Sequence, residues 1–464
     1  MRLRDCVKRA CVFFIAASTA LALSGCMFVS SPDELYSLPK LPEEYTDLEN
    51  EINALLSTGY EYIAPTEGEN LQLVQMVDVD SDGIDEAIVF LRKSGDTKPL
   101  KIYIFKEMED GYQAVVEIQE SAASIDRVDY EDMNGDGILE LIVGWRMVSA
   151  ESTQGLLANG TSDHTLTRVV SVYNLNRYDG QKILETNYNS YITTDLDRNG
   201  IPGLIIIAGG STGNGNAALY EWTQGALEIQ STARLSVVPA MLDEVRMGGL
   251  TDDTEALFVM GNVDDSNQVT DILVLRDGVL TNCMMDEQTG ISRLVYHNAS
   301  VQARDINGDG VLEIPISYEL QKPNAAAQTY WGIQWTAFSS TGEASVAETT
   351  YHNLTDGWYL VLPESWKNTI MITNVTSTTG ERAVTFGIFQ GGDGEVQDIV
   401  TIYTETGDNR EYKASRGDRF VLVRQATTIY AAEFAEGSDS WSGIMSEDAL
   451  REAFHMIQAE WYLQ

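Results

Sequence analysis

Three stretches of this chain place oxygen-bearing side chains at alternate positions of a tight loop. They are Asp78-Val-Asp80-Ser-Asp82-Gly83-Ile84-Asp85-Glu86, Asp132-Met-Asn134-Gly-Asp136-Gly137-Ile138-Leu139-Glu140 and Asp305-Ile-Asn307-Gly-Asp309-Gly310-Val311-Leu312-Glu313. Oxygen donors stand at positions 1, 3 and 5, glycine at 6 and a carboxylate at 9. Calcium takes six to eight oxygen ligands, and a loop of this kind converges them on one point. Glycine at position 6 permits the sharp turn. Position 7 offers only its backbone carbonyl, so Ile84, Ile138 and Val311 are free to be apolar. An EF-hand carries its bidentate Glu at position 12, on a helix. Here the acid comes at 9, and the β-rich runs Ala87-Ile-Val-Phe90, Leu141-Ile-Val143 and Ile314-Pro-Ile-Ser317 follow. Each loop is therefore expected to bind structural Ca2+ and to lead into a strand.

A further copy, Asp195-Leu-Asp197-Arg-Asn199-Gly200-Ile-Pro-Gly203, keeps the three oxygens but has Gly203 in place of the acid. Weak or no binding is expected at Asp195, Asp197 and Asn199. A fifth, Leu250-Thr-Asp-Asp-Thr-Glu255, lacks the glycine turn and reads as a plain hairpin. Indexed at Glu86, Glu140, Gly203, Glu255 and Glu313, the copies recur every 52 to 63 residues.

The elements that carry these loops follow from the same period. After each loop strand comes a second strand pair around a turn: Asp110-Gly111, Asp179-Gly180, Gln224-Gly225, Asp277-Gly278 and Thr341-Gly342. Four strands per repeat of this length is a propeller-blade pattern. A single such unit cannot bury both of its faces, so the units must stack. The fold class read from the sequence is mainly β: a calcium-loop β-propeller with five visible repeats and five to seven blades, followed by a small α+β domain.

The D-x-[DN]-x-D-G-x-x-E pattern resembles the FG-GAP/VCBS repeats of integrin-α-like propellers, over roughly residues 60–350. The resemblance implies structural calcium in the three complete loops. The N-terminus resembles a bacterial lipoprotein signal, with Arg2, Arg4, Lys8 and Arg9, an apolar run from Val12 to Leu23, and Leu23-Ser-Gly-Cys26. That resemblance implies cleavage before Cys26, lipidation of its thiol and an extracytoplasmic location on a membrane. The domain reading is residues 1–25 signal, 26–58 tether and short helix, 59–352 propeller, and 353–464 an α+β domain closed by a helix over Glu447–Trp461. Ser446 is the predicted cap, and Leu450, Phe454, Ile457 and Trp461 its apolar face. This last domain resembles a module of similar lipoproteins, which implies no activity.

The chain has 464 residues, 44% of them hydrophobic, and a net charge of −40. A core is affordable in composition, while nucleic acid and anionic lipid would be repelled. With Cys26 lipidated and Cys6 and Cys11 removed, Cys283 is alone, and metal must replace disulfides as the staple. His164, His297, His352 and His455 show no zinc spacing.

Other motifs invite chemistry without completing it. Gly209-Gly-Ser211-Thr-Gly213 matches a nucleophile elbow, but a loop and a strand follow it, where the elbow requires a helix. Arg416-Gly-Asp418 spells an adhesion tripeptide in a turn. Trp145, Trp222, Trp331 and Trp335 sit on blade strands, where such rings fill space between sheets or stack on sugars. With no catalytic constellation assembled, the expected function is a non-catalytic lipoprotein that presents loops to a protein or glycan partner. The alternatives are a polysaccharide-active hydrolase or lyase using carboxylates in the propeller cleft, and a structural envelope protein.

Overall fold

The structure is a computed structural model describing residues 45–148, 166–209, 213–378, 380–390 and 395–458. The signal segment, the tether and Cys26 lie outside the described residues, as does Ser211. No described helix is long and apolar enough to cross a membrane. The described residues are mainly β, in six antiparallel sheets. It divides into two compact units, one of residues 45–63, 73–77 and 84–120, the other of residues 64–72, 78–83 and those from 121 onward.

The first unit pairs a helix, α1 (Thr46–Leu56), with one sheet of β1 (Tyr60–Tyr62), β2 (Val74–Val77), β3 (Glu86–Lys93), β4 (Leu100–Met108) and β5 (Gly111–Glu120). Asp47 and Glu49 in the first turn of α1 oppose its dipole. Leu48 and Ile52, four apart on one face, pack on Ala87, Val89, Leu91 and Phe105. Strand β3 is buried without alternation from Glu86 to Leu91, the mark of a strand covered on both faces.

The second unit holds five sheets in sequence. The first contains β6 (Ser124–Glu131), β7 (Glu140–Val148), β8 (Leu166–Asn174) and β9 (Gln181–Asn187). The next contains β10 (Ser190–Thr194), β11 (Gly203–Ala208), β12 (Asn216–Thr223) and β13 (Ala226–Arg234). The third joins β14 (Leu242–Gly249), β15 (Glu255–Asn262), β16 (Asn267–Arg276), β17 (Val279–Asn282) and β18 (Val295–His297). The fourth begins with β19 (Ile314–Glu319), β20 (Trp331–Phe338), β21 (Ala344–Asn353) and β22 (Trp358–Val361). The last orders β23 (Met371–Thr378), β24 (Glu381–Gln390), β25 (Glu395–Thr406), β27 (Thr428–Phe434) and β26 (Phe420–Arg424), with a short helix α2 (Arg410–Ala414) after β25.

Neighbouring sheets of this unit share their cores. Ile142 and Val172 pack with Leu204 and Ile206. Ile205 and Leu219 pack with Leu257 and Leu273. Phe258 and Ile272 pack with Leu312 and Ile314. Trp358 and Leu360 pack with Phe386 and Ile402. Pro315 lacks an N–H for a ladder; its strand β19 pairs along its length with β20, while its other side carries the isolated Asn298–Ile316 bridge, a placement near a sheet edge that suits proline.

One expectation fails at the C-terminus. The helix predicted over Glu447–Trp461 is α3 (Glu447–Ala453), and Phe454–Met456 forms a strand, β28, paired with β22. Ser446 caps α3 as expected, accepting from the Ala449 N–H at 3.2 Å. The helical spacing ends because Phe454 is drawn against Trp358 and Tyr430, with ring centroids at 5.4 and 5.5 Å; packing overrides a weak local preference. Ile457 follows β28, and Trp461 lies outside the described residues. The partition at residue 352/353 falls inside the fourth sheet of this unit, whose strands β21, β22 and β28 lie on both sides of it.

Candidate functional site

The loops adopt one conformation four times over. The first-position carboxylate accepts backbone N–H groups from its own loop: Asp78 from Asp82 and Gly83 at 3.1 and 2.9 Å, Asp132 from Gly135 and Gly137 at 2.7 and 2.9 Å. Asp195 accepts from Asn199 and Gly200 at 2.9 and 2.7 Å, and Asp305 from Gly308 and Gly310 at 2.6 and 2.8 Å. Position 6 is left-handed throughout, with φ of 84 to 89° at Gly83, Gly137, Gly200 and Gly310. Position 4 is left-handed too, and there Ser81 and Arg198 hold φ of 57 and 58° without a glycine's freedom.

The ninth-position acids Glu86, Glu140 and Glu313 are fully buried. Burial, with Asp136 and Asp132 adding repulsion, pushes Glu140 up to about 7, against the pull of the Met133 N–H. Burial likewise pushes Glu313 up to about 7, and its Oε1 has no hydrogen-bond partner among the described residues. A hard cation would relieve both. At Glu86 a cation is already present: Lys106 Nζ stands 2.7 Å from Oε1. The side-chain donors in the complete loops are all oxygen atoms, the kind that calcium takes. Asp80, Asp82, Asn134, Asp136, Asn307 and Asp309 stand in these loops as the spacing requires. Ile84, Ile138 and Val311 occupy position 7; the N–H groups of Ile138 and Val311 are held by Asp136 and Asp309 at 2.9 and 2.8 Å. Asp197 and Asn199 bond each other at 2.8 Å.

A second site is absent from the sequence reading. A cavity of about 650 Å3 is lined by Arg127 and Arg168, by Tyr191 and by Asp243. Its walls come from the first strands of three successive sheets, β6, β10 and β14, with β8 and the Pro239–Met241 turn. The two arginines are held in place from behind. Arg127 Nε lies 2.7 Å from Asp129 Oδ2, and its guanidinium sits 4.8 Å from the centre of the Tyr191 ring. Arg168 Nε lies 3.0 Å from Asp126 Oδ2, and its Nη2 is 2.6 Å from Glu67. Arg146 makes the matching pair, 2.6 Å to each of the same two acids. Asp126 is 1% exposed, whereas Arg168 keeps 35% of its side chain in solvent. Tyr188 and Tyr191 donate to Asp126 and Asp129 at 2.9 and 2.8 Å. Burial, reinforced by those acids, holds both phenols far above their usual range, so they act as donors. Asp243 is exposed, with Oδ2 accepting from Gln268 Nε2 at 3.1 Å. An exposed carboxylate facing two rigid guanidinium groups can move a proton beside a bound anion. The signal in the sequence was Asp126-Arg-Val-Asp129, an arginine between two acids in a strand where Ile125, Val128 and Tyr130 alternate with charged residues.

The remaining candidates part company. Trp145 and Trp335 are fully buried in the core, Trp222 is half-buried, and Trp331 is 39% exposed. Arg416-Gly417-Asp418 is an exposed turn with Gly417 at φ 66°. Cys283 is buried, and burial pushes its thiol up to about 11, away from the thiolate form.

No family model and no curated protein matches this chain. Among solved structures it is similar to the exotype rhamnogalacturonan lyase YesX, at 11% identity and a TM-score of 0.29, over 71% of this chain and 66% of that one. It is also similar to the Bacillus licheniformis rhamnogalacturonan lyase PL11, at 12% identity and a TM-score of 0.27, over 73% and 71%. The chain thus spans just under two thirds of the first structure's length. Both are enzymes. Against that finding, the expectations of a non-catalytic binder and of a protein that is not an enzyme are withdrawn. TM-scores this low bring neither fold nor substrate across, and the chemistry rests on the cavity's own residues.

Proposed function

We propose that this chain is an enzyme that cleaves an acidic polysaccharide by elimination in the Arg127–Arg168–Asp243 cavity. The observation that carries the reading is the make-up of the lining: two guanidinium groups locked from behind, and Asp243 as the one carboxylate among the described lining residues. Glycoside hydrolysis ordinarily needs two carboxylates flanking the bond. Elimination needs one base and a cation to quiet the uronate carboxylate. Asp243 removes the proton on the carbon next to that carboxylate. The C–H electron pair becomes a carbon–carbon double bond, the bond to the glycosidic oxygen breaks, and Asp243 passes the proton to the departing oxygen. Arg127 and Arg168 hold the uronate and stabilise the charge that builds on it. In a chain of net charge −40, a pocket with paired arginines is where an anion can settle.

The sheets of the second unit act in this reading as successive blades of an FG-GAP/VCBS-like β-propeller, supported by the first strands of three of them lining one cavity. The loops at Asp78, Asp132 and Asp305 hold structural calcium, supported by the buried Glu140 and Glu313. Cys26 carries lipid and anchors the protein outside the cytoplasm, supported by Leu23-Ser-Gly-Cys26.

The test is incubation of residues 27–464 with polygalacturonate in calcium, reading the ultraviolet absorbance of unsaturated ends. Asp243→Asn should lower the rate about 10²- to 10⁴-fold. New reducing ends without that absorbance would mean hydrolysis. Neither product, from polygalacturonate or from other uronate-containing polysaccharides, would sink the reading.

A further inference from the structure

A second cavity, about 320 Å3, opens in the same unit between β18, β19, β20 and β21. Trp331 stands at its edge, an exposed indole on a strand whose other tryptophan, Trp335, is fully buried. Its ring lies flat on that of His297, with centroids 4.3 Å apart and planes 21° from parallel. A partly exposed tryptophan with its plane fixed by a stacked partner has already lost the freedom that a ligand would otherwise have to remove. Around it the lining carries hydroxyl and amide groups: Ser300, Ser317, Thr329, Tyr330 and Asn298. Gly332 lies under the ring of Tyr318, whose atoms a Cβ there would meet at 2.5 to 2.8 Å, so the backbone beside Trp331 is packed and set.

Among the described residues the lining contains no Asp, Glu, Lys or Arg. On a chain with 70 acidic and 30 basic residues, a lining without a carboxylate or a Lys/Arg side chain points to polar and stacking contacts as the basis of recognition. His352, also in the lining, is kept neutral, since burial pushes its pKa down to about 3. The combination of a flat aromatic surface, neighbouring hydroxyl and amide groups and no carboxylate, lysine or arginine side chain among the described lining residues fits a ring with an apolar C–H face and hydroxyl edges.

We infer that the Trp331–His297 cavity is a binding subsite for a neutral pyranose chain, separate from the Arg127–Arg168 cavity. The sugar's C–H face lies on the indole and its hydroxyls bond to the serine, threonine and asparagine side chains. The inference does not depend on the elimination chemistry.

Calorimetric titration of residues 27–464 with cellotetraose, xylotetraose and galactotetraose tests it, with Trp331→Ala and Trp331→Phe as variants and melting curves as the control on folding. The expected result is saturable binding of at least one of them. Trp331→Ala should weaken it roughly tenfold and Trp331→Phe less. Asp243→Asn should leave it unchanged, which separates this subsite from failure of the catalytic reading. No binding of any of the three, or binding equally tight in Trp331→Ala, would overturn the inference.

Discussion

The hydroxyl of Tyr188 donates to Oδ2 of Asp126 at 2.9 Å, joining the turn before β10 to strand β6 of the preceding sheet. The bond is buried and sits behind Arg168, so the position of a cavity-lining guanidinium depends on a contact between sheets.

Gly144 on β7 is the space that Tyr188 needs. A Cβ there would run into the Tyr188 hydroxyl and meet its Cζ at 3.2 Å. Gly144→Ala should therefore destabilise the protein by about 1–3 kcal/mol. Combining it with Tyr188→Phe should recover part of that loss. Denaturant midpoints measure both; an additive double variant would show that the ring is not what Gly144 accommodates.

Asp126 compensates Arg146 and Arg168 at once. Removing one partner of a buried pair costs about 3–5 kcal/mol. The arginines here keep roughly a third of their exposure, so Asp126→Asn is expected to cost about 2–3 kcal/mol. It should also raise KM for an anionic substrate, because Arg168 loses its anchor. A variant with unchanged stability and KM would mean that Glu67 suffices to hold both arginines.

His352 sets an acid limit. Burial, then the nearby Arg304, lowers its pKa from 6.5 to about 3 in the folded chain. As pH falls through 6.5 the unfolded chain takes up the proton and the folded one does not, so stability is lost between about pH 6.5 and pH 3. The slope from this group approaches about 1.4 kcal/mol per pH unit. His352→Phe should flatten the stability profile in that window and leave it unchanged above it. The same slope in the variant would assign the acid loss to other groups.

The loops should separate by their ninth residue. Calcium at a hundredfold above its dissociation constant adds about 2.7 kcal/mol per site. A melting rise in calcium relative to chelator is expected, and Asp305→Ala should reduce it more than Asp195→Ala, since Glu313 is present and its counterpart is Gly203. Equal losses from the two variants would remove that ranking. No rise at all would reduce the loops to turns.

The loops were legible because their information is local. Every oxygen donor lies within nine residues, and the left-handed glycine at position 6 follows from the turn alone. The strand pairs were legible through their turns and apolar runs. The cavity was not, because Arg127, Arg168, Tyr191 and Asp243 come from β6, β8, β10 and β14, and no sequence spacing links them. The left-handed backbone at Ser81 and Arg198 was hidden for the opposite reason: the loop imposes it on residues with no preference for it. Phe454 misled because helical spacing and a strand's demand for an aromatic partner on Trp358 look alike over so few residues.

Strand β28 is among the last described segments of the chain, yet it completes a sheet begun at Ile314. During synthesis, β19 to β22 can form before Phe454–Met456 emerges, but until then β22 keeps an open edge. A ribosome that stops short, a protease that trims the tail or a tag that hinders β28 leaves that edge and Trp358 exposed. Strand β28 thus acts as a completion check on its sheet, and forms truncated before Phe454 should aggregate because β22 keeps its open edge.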